Sequence, residues 1–257
     1  MSVLLAGHRG DRAHAPENTM PSFRKAIALG VDMIETDIHM TRDGVMFIMH
    51  DDKVDRTTDG TGLTMEKTWD EISKLDAGGW FGPEFKGTRV PTLDEFCALV
   101  AETPGLWVNW ELKDWAHMCG LEFALKSADG LLDCIRKYHL EERSMLNSFS
   151  AEVLEYVAKK RGVMEIHGQG LSPTDKMKGV TTKAPETYWQ WACLYGTTEK
   201  LADESNFTYC RQLGIRPCVC IPDTMENYSR AVERGCEMFT SDDPETAIAL
   251  LKKLGKR

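Results

Sequence analysis

Apolar and polar residues alternate along this chain at two periods, and the switch between them recurs from end to end. Val3–Gly7 is a short apolar run; Met20, Phe23 and Ile27 then fall at helical spacing within Asn18–Leu29, and Gly30 ends the pattern. Met33–Ile38 and Val45–Met49 carry strand spacing on either side of Thr41-Arg42-Asp43-Gly44, an Asp-Gly turn signal. Leu106–Leu112 predicts another strand, followed by a helix across Gly120–Tyr138. Strands continue at Ser144–Phe149, Val163–His167, Thr187–Leu194, Ile215–Ile221 and Glu237–Thr240. Helical stretches fall at Ala151–Lys160, Glu199–Leu213 and Met225–Arg234. Pro244–Leu254 closes the chain with Pro244 in the first turn, where its missing N–H is not needed. About eight strand–helix units in succession predict an α/β fold, a TIM-type (β/α)8 barrel rather than an open doubly wound sheet.

One stretch breaks the rhythm. Residues 51–89 hold Arg56-Thr57-Thr58-Asp59-Gly60-Thr61-Gly62 and Gly78-Gly79-Trp80-Phe81-Gly82-Pro83, with a short helical piece around Trp69–Leu75. This is a small loop-rich insertion after the second strand, and its aromatic content favours an ordered cap beside the mouth of the barrel. The sequence shows no linker and no repeat, so residues 1–257 are expected to form a single barrel domain including the insertion.

The remaining composition narrows the function classes. A net charge of −9 argues against a nucleic-acid partner, which wants a basic footprint, but leaves room for a small anionic substrate held by a local cation. No run of about 18 apolar residues exists, so no membrane-spanning helix is expected. The eight cysteines are scattered without paired Cys-x-x-Cys motifs, and buried free thiols are the expectation. With a start too short for a signal peptide, this points to a cytoplasmic location.

Candidate chemistry gathers early in the chain. His8 follows the first strand and His50 follows Val45–Met49, and such positions line the functional mouth of a parallel barrel. Glu35 and Asp37 are two apart on a strand and share one side, while Asn109, Glu111 and Lys113 alternate with apolar neighbours and face the interior. Inward charges need partners. A hard divalent cation held by Glu35, Asp37 and Glu111 would serve; so would a salt-bridge network around Lys113 or Arg9. Two histidines beside the cluster favour the cation, because imidazoles suit acid–base work near neutral pH. Arg9 could fork onto a phosphate or pair with Glu17, and Asn18 could cap the helix behind it. His14, His39, His117, His139 and His167 are read as structural or surface residues. Thr240-Ser241-Asp242-Asp243-Pro244 is read as a helix cap at the same mouth, and Trp80-Phe81, Trp189 and Trp191 as candidate channel walls or packing.

Taken together, His8-Arg9-Gly10, Pro16-Glu17-Asn18-Thr19, Glu35-Thr36-Asp37, Thr41-Arg42-Asp43-Gly44, His50-Asp51, Arg56-Thr57-Thr58, Pro91-Thr92-Leu93 and Glu111-Leu112-Lys113 resemble the glycerophosphodiester phosphodiesterase family. The ordered set spans roughly residues 5 to 115, with looser matches at Ser148-Phe149 and in the segment ending at Pro244. The resemblance implies a phospholipase C-like phosphodiesterase barrel needing Mg²⁺ or Ca²⁺ and taking a small-molecule glycerophosphodiester. It implies His8 and His50 as the catalytic pair, Glu35, Asp37 and Glu111 as metal ligands, and Arg9 and Lys113 as substrate phosphate contacts. The expected reaction releases glycerol phosphate and an alcohol, with either water or the neighbouring glycerol hydroxyl as nucleophile. Two alternatives stand beside it: phospholipase D-like cleavage of lysophospholipids or sphingolipids, and a non-catalytic phosphodiester-binding barrel. One departure is Cys218-Val219-Cys220, where such proteins commonly carry a Trp-Thr-Val-Asn-like strand. The aromatic wall of the alcohol pocket is then either missing or supplied by Trp189 or Trp191, which leaves the usual alcohol preference open.

Overall fold

Strands buried on both faces need cover on both sides, and closing the sheet into a ring supplies it. The computed structural model, which describes residues 2–169, 184, 187–195, 203–222 and 224–257, has this form. Its strands are β1 Leu4–His8, β2 Met33–Met40, β3 Met46–Ile48, β4 Trp107–Leu112, β5 Ser144–Ser148, β6 Glu165–Gln169, β7 Trp191–Tyr195, β8 Arg216–Cys220 and β9 Met238–Ser241. Eight of them run parallel in the order β1-β9-β8-β7-β6-β5-β4-β2, and pairing of β1 with β2 closes the barrel. The helices are α1 Met20–Leu29, α2 Trp69–Ile72, α3 Leu93–Ala101, α4 Ala116–Cys119, α5 Leu121–Lys137, α6 Ala151–Lys160, α7 Glu204–Leu213, α8 Met225–Glu233 and α9 Pro244–Lys253. None is long and apolar enough to cross a membrane among the described residues.

The main core lies between the strands and the helix ring, where Val108, Trp110 and Leu146 meet Phe23, Phe96 and Leu131. Phe96 packs tilted against Phe23, ring centres 4.3 Å apart, and meets the Trp110 ring edge-on at 5.6 Å. Trp110 also donates its indole N–H to Ser144 Oγ at 2.9 Å, so the polar corner of this buried ring is satisfied. Inside the ring, Ala6, Met33, Met145, Trp191 and Met238 fill the N-terminal half. The Arg216 guanidinium lies over Trp191 at 3.9 Å. The apolar filling stops there, and polar residues occupy the C-terminal half.

Two sequence expectations are corrected, and one helix stands outside them. Val45–Met49 is not a barrel stave: its strand β3 folds back antiparallel on the end of β2, with Met40 opposite Met46 and Ile38 opposite Ile48. That return carries His50 back to the rim, since Met49 N–H donates to the Asp37 carbonyl at 3.0 Å. Helix α3 was not read from periodicity, although Thr92 and Glu95 form a reciprocal capping box that the sequence displays. Of the cysteines, Cys97, Cys210, Cys218 and Cys236 are buried thiols, Cys119 and Cys134 are half-buried, and Cys193 and Cys220 are joined in a disulfide. The first part of the expected helix Glu199–Leu213 lies outside the described residues; Asp203 caps the described part by accepting from Ser205 N–H.

The insertion is ordered around a small core of its own, in which Val54, Ile72 and Ala77 meet Phe47, Met49 and Val90. Replacing Trp110 by Ala in the main core should cost roughly 3–5 kcal/mol. Urea unfolding of the variant measures this, and a loss below about 1 kcal/mol would contradict the packing described.

Candidate active site

The ends of β1, β2 and β4 bring the charged residues together by simple register. Asp37 lies opposite Glu111 and Glu35 opposite Asn109, while His8 lies opposite Glu35. One carboxylate oxygen from each of Glu35, Asp37 and Glu111 falls within 4.8 Å of the others, and all three residues are buried. Lys113 Nζ contacts Glu111 and sits 3.2 Å from Asp37, and Arg9 Nε lies 3.2 Å from the other Asp37 oxygen. Three carboxylates against two cations leave one negative charge uncompensated.

That charge falls on Glu35. Its Oε1 is buried without a partner. Burial, with Asp37 and Glu111 beside it, pushes the Glu35 carboxyl well above the usual carboxylate range. Burial acts on Asp37 in the same direction, but Lys113 and Arg9 outweigh it and hold Asp37 far below that range. Glu35 Oε1, buried without a partner, and Asp37 Oδ1, met only by the Lys113 ammonium at 3.2 Å, fit a hard divalent cation, which would allow all three carboxylates to stay ionised.

Each mouth histidine is held by an aspartate through Nδ1. His8 pairs with Asp242, and its Nε2 points toward Glu35 Oε2 at 3.8 Å. Burial holds His8 below its ordinary value, against the opposing pull of Asp242. His50 pairs with Asp51 at 2.6 Å, and Arg56 Nε donates to the second Asp51 oxygen at 2.7 Å. Both histidines are close enough to Asp37 to add to the field that keeps it ionised. Beside His50 opens a pocket of about 270 Å³ walled by Lys113, Trp115, Met118 and Phe149.

Glu17 ties these groups into one network. It accepts from Arg9 at 2.7 Å, Arg12 at 3.1 Å and Arg56 at 2.8 Å. Burial alone would raise its pKa, yet the three guanidiniums draw it down to about 2. Arg9 therefore pairs with both Glu17 and Asp37, in a left-handed backbone conformation with φ 56°. Position 10 requires glycine, since φ there is 86° and a Cβ would come within 2.7 Å of the Ser22 backbone.

Some residues behave differently from their sequence reading. Asn18 is not a helix cap: Thr19 holds the N-cap position of α1, and Asn18 donates to Asp37 Oδ2 at 2.7 Å while accepting from Thr36 Oγ1 at 3.0 Å. The cap before Pro244 is Asp243, which leaves Asp242 for His8. Arg12 has no signal in the sequence reading, and Asp51, Arg56 and Asp242 appear there only inside motifs, without the partners the structure gives them. Trp189 packs against Gly168 in the outer core and Trp191 at the closed end, so neither walls the mouth, where Trp115 and Phe149 stand instead. His39 pairs with buried Asp114 at 2.7 Å. His167 is fully enclosed, and burial pushes it down to about 3.

A parallel barrel that gathers histidines and carboxylates at the C-terminal ends of its strands has the architecture of a barrel enzyme. Over residues 8–246 the chain matches the Glycerophosphoryl diester phosphodiesterase family. It is 34% identical to a glycerophosphodiester phosphodiesterase of Caldanaerobacter subterraneus subsp. tengcongensis, over 99% of this chain and 100% of that protein. A second, from Bacillus subtilis, is 31% identical over 83% of this chain and 74% of its own. The fold is shared with a phosphodiesterase of Oleispira antarctica solved in complex with the product sn-glycerol-3-phosphate (TM-score 0.85, 22% identity, 98% of this chain and 97% of that one). It is shared also with a glycerophosphodiester phosphodiesterase of Agrobacterium tumefaciens (TM-score 0.76, 24% identity, 96% and 99%). The chain belongs to the glycerophosphoryl diester phosphodiesterase family.

The Glu17 network has a testable pH signature. Its folded pKa of about 2 lies below the ordinary 4.5, so its contribution is complete above pH 4.5 and is lost as the pH falls toward 2. For this buried group the loss is on the order of 3 kcal/mol. Glu17→Gln should therefore lose less stability than the wild type between pH 5 and pH 3, measured by chemical denaturation; equal losses would remove Glu17 from the account.

Proposed function

We propose that this protein hydrolyses glycerophosphodiesters to glycerol phosphate and an alcohol, using a divalent cation with His8 and His50 as the acid–base pair. The observation that supports this most is the meeting of two aspartate-held histidines with three buried carboxylates whose charge is not fully balanced. Glu35, Asp37 and Glu111 would hold Mg²⁺ or Ca²⁺, which when bound polarises a phosphoryl oxygen and stabilises developing negative charge.

The chain's own residues supply the rest. Asp242 and Asp51 keep the Nδ1 proton of their histidines, which leaves each Nε2 to exchange a proton with substrate. One histidine removes the proton of the attacking oxygen, from water or from the neighbouring glycerol hydroxyl, as the new P–O bond forms. The other returns a proton to the departing alkoxide as the old P–O bond breaks. By the glycerol hydroxyl route the product is a cyclic phosphate that water then opens to glycerol phosphate. Arg9 and Lys113, fixed by Glu17, Asp37 and Glu111, bring positive charge to the mouth for the phosphate. Asn18 holds Asp37 in place. The pocket beside His50 has room for part of the diester.

Product release from glycerophosphocholine and glycerophosphoethanolamine, with Mg²⁺, Ca²⁺ or EDTA, tests the reading. Glycerol phosphate should appear with metal and not with EDTA. His8→Ala and His50→Ala should each lower kcat by about 10²–10⁴-fold; near-native rates in both would overturn the acid–base pair. A lysophospholipid assayed in parallel, cleaved at its phosphodiester while the soluble diesters stay intact, would replace this reading with the phospholipase D-like one.

A further inference from the structure

We propose that, with Cys193 and Cys220 as thiols, these two residues and His167 form a second metal site in the barrel interior, a two-thiolate, one-imidazole site for Zn²⁺. It lies on the arc of β6, β7 and β8, across the ring from the carboxylates of β2 and β4. Register places Cys193 opposite Gln169 and Cys218, so His167 and Cys220 each reach it from a neighbouring strand. One ligand atom from each of the three residues falls within 4.8 Å of the other two. None of them belongs to the machinery assigned above.

Three observations point to a ligand. His167 Nε2 is buried without a hydrogen-bond partner, in a residue only 1% exposed. Its Nδ1 lies 3.0 Å from the Asn109 amide, whose oxygen is also without a partner. With the amide turned so that this oxygen accepts from Nδ1–H, Nε2 keeps its lone pair, the tautomer that a metal requires. Finally, a cavity of about 50 Å³ reaches from His8 and Glu35 to His167 and Cys220, room enough for a water as fourth ligand.

The donor set selects the ion. Thiolate and imidazole ligands suit a borderline-soft cation in tetrahedral geometry, whereas the three carboxylates suit a hard one. Two thiolates and one dication sum to zero charge, which a buried interior tolerates and which an unpaired thiolate would not. Binding replaces both S–H protons, so two protons leave for each Zn²⁺ taken up. The disulfide and the metal exclude each other at these sulfurs. Reduction by a phosphine, which becomes the phosphine oxide by taking oxygen from one water, yields the two thiols.

The test uses the full-length protein, phosphine-reduced under anaerobic conditions, with excess Mg²⁺ to occupy the carboxylates. Titration with Co²⁺ should give one equivalent of a thiolate-to-cobalt charge-transfer band with intense tetrahedral d–d absorption, bleached by one equivalent of Zn²⁺. Cys193→Ser, Cys220→Ser and His167→Ala should each lose the signal, His167→Cys should restore it, and Cys97→Ser should keep it. Asn109→Ala should weaken binding by roughly 10–100-fold. Near-ultraviolet circular dichroism identifies any variant that misfolds, and the His167→Cys rescue separates a lost ligand from a lost fold. No charge-transfer band in wild-type protein with eight titratable thiols, or a band that persists in both serine variants, overturns the site. Because the readout is optical, the outcome stands apart from diesterase activity.

Discussion

Burying three carboxylates within 4.8 Å of one another is the constraint on which the rest of the mouth depends. Like charges in a low-dielectric interior repel strongly and lose their hydration, so they persist only with cations placed against them. Lys113 and Arg9 supply part of this compensation, and both are themselves buried. Each must then be held. Glu17 fixes Arg9, and in doing so it recruits Arg12 from the turn after β1 and Arg56 from the insertion. A requirement that begins at three side chains thus reaches the first turn, the cap and, through Asp242, the last strand.

The barrel explains why this arrangement is stable enough to exist. Its N-terminal half is filled with Met, Trp, Ala and Cys side chains, and the helix ring buries the outer strand faces. These apolar layers make the closed ring, and the ring in turn holds the polar C-terminal half at fixed register. The residual imbalance at Glu35 is local destabilisation carried by a well-packed scaffold. The family match runs over residues 8–246, from the first strand that lines this mouth to the last helix.

Much of the site was legible because side-chain period and barrel geometry act together. Glu35 and Asp37 share a face by two-residue alternation, as do Glu111 and Lys113, and no tertiary knowledge is needed to see it. Partner choice was less legible. Asn18 sits where a cap belongs, yet its left-handed backbone turns the side chain toward Asp37, a contact 19 residues away. Asp242 and Asp243 are chemically identical neighbours; only the closure of β9 on β1 assigns one to His8 and the other to a helix end.

By itself the sequence determined the succession of strands and helices, the inward-facing carboxylates and the two histidines, because these follow from local period and residue type. Tertiary structure decided what depended on direction and long-range pairing. It made Met46–Ile48 an antiparallel return, so that His50 comes back to the rim from a strand outside the barrel. It set Trp115 and Phe149 at the mouth in place of Trp189 and Trp191, since the first two follow the C-terminal ends of β4 and β5 while Trp191 opens β7 and Trp189 packs against Gly168. And it brought Cys193, Cys220 and His167 together from three strands, a grouping that closure of the ring creates and no spacing along the chain displays.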